Sequence, residues 1–324
     1  MSANAQQDFA LAFLSILFEG APFILLGTLI SGFIDIYLPA GTMDRFLPRK
    51  PALAILAAGL MGAVFPVCEC AVVPVIRRLV NKGLPVSCAL TYMLAAPIVN
   101  PITALSTWKA FQGQNAAMMT CSRILLGFII AAAVGLVVSR IQPGAVLKRS
   151  VLDAVVDPMG RMGRRQRESR PETDPKPPGE TPAPDDTRLV AAFRSALKDF
   201  VDVGVYFTIG VAITALFNTG IAPGAKWLDS LAGNEAAAPA ALMVLAFVLS
   251  LCSTSDAFIA ATLDKFSWGA KLAFLTFGPM MDVKLLFLYQ TVLRKRFILL
   301  LGLGLFGSVY GVTVFWQHLI MQAK

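Results

Sequence analysis

The residues best suited to chemistry in this sequence form a short triplet, Cys68-Glu69-Cys70, within an apolar stretch. Two thiols and a carboxylate make a soft ligand set, and thiolates favour thiophilic ions such as copper(I) and zinc. Pro66 and Pro74 flank the triplet, and proline inside a helix removes a backbone donor and clashes with the preceding turn. The triplet is therefore predicted to lie at a helix break and to bind a solute or metal through Cys68 and Cys70. The alternative is that both cysteines are small buried packing residues.

Similar polar groups recur elsewhere in apolar surroundings. A Cys-Ser-Thr-Ser-Asp run begins at Cys252, and Asn100 lies in a Pro-Ile-Val-Asn-Pro run that predicts a second helix break. Asp282 follows Pro279, where a salt bridge to Lys284 is the structural alternative to a role in substrate binding. The predicted substrate-binding residues are Cys68, Glu69, Cys70, Asn100, Cys252, Ser253, Asp256 and Asp282.

Two further carboxylates, Glu19 and Asp202, lie inside long apolar runs. Ionisable residues inside membrane spans are costly and usually mark a pathway. We therefore predict that this pair carries coupling protons, with structural hydrogen bonding as the alternative.

The composition requires an apolar environment for most of the chain. Of the 324 residues 56% are hydrophobic and 15% are charged, whereas about 25% are charged in soluble domains. Runs of about 20 apolar residues are long enough to cross a bilayer as helices. The predicted fold class is an all-α polytopic membrane helix bundle. The predicted spans are 9–38, 51–77, 84–108, 121–140, 194–220, 238–263, 267–292 and 297–318.

The sequence divides into two related halves. Asp202 follows Glu19 by 183 residues, and Cys252 follows Cys68 by 184. Such a constant offset predicts two homologous four-span repeats, residues 1–146 and 191–324, and internal repeats are a common transporter plan. Residues 147–190 are rich in proline and charge and are predicted to be a disordered linker.

An even number of spans predicts parallel halves, with both termini on the linker side. The run 161–170 holds five arginines, and basic loops favour the cytoplasm. We therefore predict a bacterial inner-membrane protein with its linker and both termini in the cytoplasm and with no nucleic-acid partner. An inverted arrangement with an odd number of spans is the alternative.

The run CECAVVPVIRRLVNKGLPVSCALTYMLAAPIVNPI resembles the signature of the ArsP/YraQ-type predicted permeases. That resemblance implies a membrane permease, and its arsenical branch implies export of trivalent organoarsenicals with Cys68 and Cys70 as the paired cysteines. The sequence departs from that branch at Glu69, Ala71 and Asn100, where it is more similar to the YraQ branch.

These observations favour a permease for a small thiophilic solute, such as a trivalent arsenical or a soft metal species, acting within the lipid bilayer. The sequence lacks a GxxxxGK[ST] phosphate loop, so we expect no nucleotide cofactor and expect coupling to an ion gradient. The alternatives are a membrane thiol oxidoreductase that cycles Cys68 and Cys70, and a membrane scaffold for a cytoplasmic partner.

The repeat also predicts how the site is assembled. Segments 66–74 and 250–258 should face each other, so that Cys252 adds a third thiol to Cys68 and Cys70. Glu69 and Asp256 would then give the site negative charge and favour a cationic or partly positive solute over an oxyanion.

Overall fold

The computed structural model describes residues 3–38, 48, 50–64, 67–148, 151–152, 185–221, 234 and 236–322. The described chain is a bundle of α-helices, as the apolar runs predicted. Pro66 and residues 153–184 of the predicted linker lie outside the described residues. The helices of the first part are α1 (Ala3–Tyr37), α2 (Pro51–Val64), α3 (Glu69–Asn81), α4 (Val86–Ala95), α5 (Pro101–Ala110), α6 (Ala116–Val138) and α7 (Pro143–Val146). The second part contains α8 (Asp185–Ile221), α9 (Ala237–Leu249), α10 (Ser255–Thr262), α11 (Trp268–Phe277), α12 (Val283–Tyr289) and α13 (Lys295–Gln322).

Four helices among the described residues are long and apolar enough to cross a membrane, and they lie within α1, α6, α8 and α13. The shortest of these segments has 23 residues and is about 35 Å long at 1.5 Å per residue, against a bilayer core of about 30 Å. Only 6% of the most apolar 18-residue window of α1 is buried, which fits contact of that part of the helix with lipid, whereas Ile24, Thr28 and Ser31 of the same helix are buried. The chain is therefore a membrane protein.

The other four predicted spans each contain two shorter helices. α2 ends at Val64 and α3 begins at Glu69, while α4 ends at Ala95 and α5 begins at Pro101. Pro74 lies inside α3 rather than at its start, so this proline does not mark the helix end that the sequence predicted.

The long helices α1 and α8 run antiparallel. Near the end of α1, Gly32 faces Ala192 and Ala196, whereas Gly20 faces Phe207 further along α8. A Cβ on either glycine would collide with the opposite helix, so the missing side chains allow this close approach. α1 and α8 are the matched first helices of the two predicted repeats, and parallel repeats would require them to run in the same direction. Because they run antiparallel, the prediction of parallel halves is wrong.

The long helices α6 and α13 are also antiparallel. Ser122 near the start of α6 accepts a hydrogen bond of 3.1 Å from Trp316 near the end of α13. Val146, just after α6, accepts a backbone bond of 3.0 Å from Arg294, just before α13. We call the end of the bundle with Val146 and Arg294 the linker end, and the end with Ser122 and Trp316 the terminal end.

The start of α1 and the end of α13 therefore lie at the opposite end of the bundle from the end of α6 and the start of α8, which flank the linker. α13 begins at the linker end beside Val146. α4 also begins there, because Ser87 lies against Gly135 near the end of α6, and α3 ends just before α4. Arg78 near the end of α3 contacts Asp35 and Asp199, so α1 ends and α8 begins at the linker end as well.

This geometry contradicts the prediction that both termini share the linker's side. The physical reason is that the predicted spans containing α2–α3 and α9–α10 do not cross the bundle. Each half therefore crosses the bundle an odd number of times, so its two ends lie at opposite ends of the bundle.

α2 and α3 form a hairpin that returns to the linker end. Gly135 near the end of α6 faces Ile55 in the first part of α2, and Phe128, nearer the middle of α6, faces Gly59. α2 thus runs from the linker end to the middle of the bundle. The last turns of α3 then contact the end of α1.

α9 and α10 form the corresponding hairpin from the terminal end. Asp264, just after α10, accepts a hydrogen bond from Gln114, just before α6. α11 starts at this same end, and α12 finishes near the linker end, where Leu293 pairs with Leu147. The starts of α3, α10 and α12 consequently meet near the centre of the bundle.

Candidate functional site

A small cavity of about 30 Å³ lies at this meeting point, between residues from both halves. Its volume suffices for about two water molecules. Its polar lining residues are Glu19, Cys68, Glu69, Cys70, Ser250, Cys252 and Lys284.

Three thiols line the cavity. Cys70 is buried, and Cys68 is partly exposed. Cys252, also partly exposed, accepts a hydrogen bond of 3.6 Å from the hydroxyl of Thr254. The structure thus brings Cys252 from the second half to the cavity of the two first-half thiols, as the matched segments predicted.

Within the described ranges, no group of three or more His, Cys, Asp or Glu side chains is arranged to hold a metal ion. The thiols share a cavity without forming a metal cage. Metal binding by Cys68 and Cys70 therefore stays a prediction.

Glu69 lies in the first turn of α3 and is 1% exposed. The helix dipole stabilises a carboxylate at this position. One carboxylate oxygen accepts a hydrogen bond of 3.2 Å from Ser253, and the other lies 3.3 Å from the Lys284 ammonium. Both partners belong to the second half, so Glu69 joins the two halves at the cavity.

Lys284 is buried and bound on several sides. Its Nζ donates to the carbonyls of Ser250 at 3.0 Å and Leu251 at 3.3 Å. Nζ also lies 3.6 Å from Oδ2 of Asp282. The salt bridge to Asp282 was foreseen as an alternative, but the contact with Glu69 was not. A lysine within an apolar run was the available signal, because such a residue must find carboxylate or carbonyl partners.

Asn100 and Asp282 act as helix caps. Asn100 Oδ1 accepts a bond of 2.9 Å from the Ile102 backbone, and Asp282 Oδ1 accepts one of 2.6 Å from the Leu285 backbone. These oxygens satisfy amides that have no partner within the helix. Neither side chain lines the cavity, so their position gives no support to their prediction as substrate ligands.

Asp256 is neutralised by Arg123. Nη2 of Arg123 lies 2.8 and 3.1 Å from the two carboxylate oxygens of Asp256, and it also donates to the Ser253 carbonyl at 3.0 Å. Nη1 donates to Thr107 at 2.7 Å. Asp256 does not line the cavity, and its predicted contribution of negative charge to the substrate site stays a prediction. Arg123 was missed, although an arginine in the apolar run of α6 was visible in the sequence.

Glu19 and Asp202 occupy different environments. Glu19 is exposed, lines the cavity and accepts a hydrogen bond of 3.1 Å from Ser255. The Asp202 side chain is 47% exposed and lies 3.9 Å from Arg77. The proton-coupling role predicted for them stays a prediction, and only Glu19 is placed to act at the cavity.

A second buried polar cluster lies near the linker end. Arg78 contacts both oxygens of Asp199 at 2.8 to 2.9 Å and Asp35 at 2.9 Å. Ser195 accepts from Arg78 and donates to Asp35, while Ser31 donates to Asp199. The cluster ties α3 to α1 and α8, and the sequence interpretation did not include it.

Comparison with known proteins assigns a family to this architecture. A family model described as a predicted permease matches residues 6–315. The UPF0718 protein YcgR of Bacillus subtilis (strain 168) is 34% identical over 294 residues, covering 89% of this chain and 90% of that protein. A putative two-component membrane permease complex subunit of Streptococcus mutans serotype c is 31% identical over 288 residues, covering 89% and 87%. No solved structure matches. With cysteines at the centre of a helical membrane bundle and a family match along almost its whole length, this chain belongs to the predicted permease family.

Proposed function

We propose that this protein is a permease that moves a small thiophilic solute through the centre of the bundle. The observation that carries the proposal is the cavity itself, where Cys68 and Cys70 of one half meet Cys252 of the other. Thiols from both halves would hold the solute during transfer, and movement between the halves would expose it to either side. A trivalent arsenical is the substrate class suggested by the resemblance to the arsenical branch, and a soft metal species is the other candidate.

We also propose that the halves are inverted repeats. The constant sequence offset of Glu19 to Asp202 and of Cys68 to Cys252 supports a duplication, and the antiparallel packing of α1 with α8 supports inversion. Inverted repeats with discontinuous helices at mid-membrane are a recurrent plan of ion-coupled transporters. The cavity lies where such a plan places the substrate.

The linker end is proposed to face the cytoplasm of a bacterial inner membrane. Arg294, Lys295 and Arg296 lie at this end, together with Lys50 before α2. If the halves were parallel, these basic residues would lie on the side of the membrane opposite the arginine-rich linker. If the halves are inverted, the basic residues and the linker lie on the same side. The inverted arrangement therefore agrees better with the positive-inside rule, and it places both termini outside the cytoplasm.

The test is transport by purified protein in vesicles, with a trivalent methylarsenical as the first probe. Cys68→Ser and Cys70→Ser should reduce transport to background, because serine keeps the shape but removes the soft ligand. Cys121→Ser is the matched control, since Cys121 is exposed and does not line the cavity.

Unchanged transport in both cavity variants would show that the thiols only fill space. Loss of thiols on turnover, in the absence of solute movement, would favour the oxidoreductase alternative instead. Wild-type vesicles that do not move the methylarsenical would exclude that substrate class.

A further inference from the structure

We propose that the groove between α6 and α13 binds an anionic phospholipid of the surrounding bilayer, with an acyl chain in the groove and the phosphate on Arg294 and Arg296. The site is separate from the central cavity, and the inference does not depend on the proposed transport. Because α6 belongs to the first half and α13 to the second, the bound lipid would contact both halves.

The two helices are joined at both ends and leave a groove between these contacts. Trp316 donates to Ser122 at the terminal end, and the backbone of Arg294 donates to Val146 at the linker end. The groove has a volume of about 670 Å³. A Cβ built on Gly304, which lines the α13 wall, would meet no atom of the described chain within 4 Å. The wall is therefore open at this glycine.

The groove has the length and the lining that an acyl chain requires. Arg296 and Val312 are lining residues 16 positions apart on α13, about 24 Å at 1.5 Å per residue, whereas one leaflet of the hydrocarbon core is about 15 Å thick. Apart from the two arginines and Ser308, the described lining residues are apolar. Val137 and Leu300, on opposite walls, are 62% and 67% exposed, so the groove opens towards lipid.

The charged end of the groove lies at the level of a lipid headgroup. The membrane-spanning part of α13 begins at Lys295, between the two arginines that line the groove. Arg294 Nε donates to the Leu147 carbonyl at 3.0 Å, which holds this guanidinium in place.

These two guanidinium groups complement an anion. Among the described residues, neither Arg294 nor Arg296 has a carboxylate partner, and no Asp or Glu lines the groove. Guanidinium groups form bidentate hydrogen bonds with phosphate. Basic pockets between membrane helices bind anionic headgroups. The combination of an apolar groove with two arginines at its mouth therefore fits an anionic phospholipid better than a zwitterionic one.

The experiment measures lipid binding to the full-length protein in detergent by native mass spectrometry, with phosphatidylglycerol and phosphatidylcholine of identical acyl chains. The wild type should bind phosphatidylglycerol about tenfold or more tightly than phosphatidylcholine. Arg296→Gln should weaken phosphatidylglycerol binding about fivefold, and Arg294→Gln/Arg296→Gln should remove the preference. Lys295→Gln is the matched control and should bind as the wild type does, since Lys295 has the same charge but does not line the groove.

The single variant keeps the test valid if the double variant does not fold. Arg296 is exposed, and Arg296→Gln leaves the bond between Arg294 and Leu147 in place. Equal binding of the two lipids by the wild type would overturn the proposal. An equal loss in Lys295→Gln and Arg296→Gln would overturn it as well, because any basic residue at this end would then suffice.

A second pair of variants tests the position of the acyl chain. Gly304→Leu should fill the groove and weaken phosphatidylglycerol binding although both arginines remain. Gly307→Leu is its control, because a Cβ there also meets no atom within 4 Å but Gly307 does not line the groove. Both positions are helical, where leucine is a better helix former than glycine.

Unchanged phosphatidylglycerol binding in Gly304→Leu would contradict a chain in the groove and overturn the proposal. A lipid-free dimer that dissociates in Gly304→Leu would assign the groove to a second copy of the chain and would overturn it too.

Discussion

The two halves follow the same order of helices but differ chemically where they meet. The first half brings Cys68, Glu69 and Cys70 to the cavity, whereas the second brings Cys252 and the ammonium of Lys284. The carboxylate of one half is thus balanced by the cation of the other. Lys284 also contacts Asp282 of its own half, but Glu69 receives its cation from the other half, so the complete site requires both halves.

The same division appears in two other buried ion pairs, although Arg78 also contacts Asp35 of its own half. Arg78 of the first half binds Asp199 of the second, and Arg123 of the first binds Asp256 of the second. Apolar burial contributes little to helix association in a membrane, because lipid is as apolar as the side chains. Polar contacts between the halves therefore hold the helices in register, at the linker end by Arg78 and towards the terminal end by Arg123.

The largest expected effect comes from testing the inverted arrangement of the two halves, because each introduced cysteine should either react with an external reagent or not react at all. Ala3→Cys, Arg165→Cys and Ala323→Cys would each be introduced into protein whose native cysteines are replaced. An impermeant maleimide applied to intact cells should label positions 3 and 323 but not 165, because we propose that the basic linker faces the cytoplasm and that both termini face the other side. Lysed cells provide the control in which all three positions react. Labelling of all three from the same side would contradict inverted halves.

A smaller effect, on the free energy of unfolding, is expected when Arg123, the cation that pairs with Asp256 of the other half, is replaced. Arg123→Met should lower the free energy of unfolding by about 3–5 kcal/mol, because it leaves the buried Asp256 carboxylate unpaired. Arg123→Met/Asp256→Leu should recover most of the loss, since both charges are then absent. The measurement is the unfolding midpoint of purified protein in detergent.

Arg77→Met is the matched control for that comparison. The Arg77 pair with Asp202 is 3.9 Å long and both side chains are partly exposed, so its loss should cost less than about 1 kcal/mol. An Arg123→Met protein as stable as Arg77→Met would show that the inter-half pair contributes little.

Much of the architecture could be predicted from local patterns. The apolar runs predict helices, and the Pro-Ile-Val-Asn-Pro run predicts the end of α4 and the cap of α5, because proline and asparagine favour a helix start. The cysteines and Glu69 are recognisable because such groups are costly in an apolar run.

The direction of the hairpins and the partners of the buried charges depend on three-dimensional packing, which local sequence patterns do not encode. A hairpin such as α2–α3 has the length and hydropathy of a full span, so counting spans gave parallel halves. Likewise, the repeat matched Cys68 with Cys252 but gave no sign that Lys284 would reach Glu69. Partners of buried charges are determined by tertiary contacts between distant segments, as with Arg123 and Asp256.

The central claim, one site formed by both halves, is tested most directly by a disulfide crosslink across the cavity. A protease site would be placed within residues 153–184 of protein lacking Cys88 and Cys121, and the sample would be oxidised, cleaved and run on a non-reducing gel. We predict that the halves stay joined through Cys252 and one of the first-half thiols, and that they separate in Cys252→Ala or after reduction. Halves that separate as completely in the oxidised parent as in Cys252→Ala would contradict the shared site.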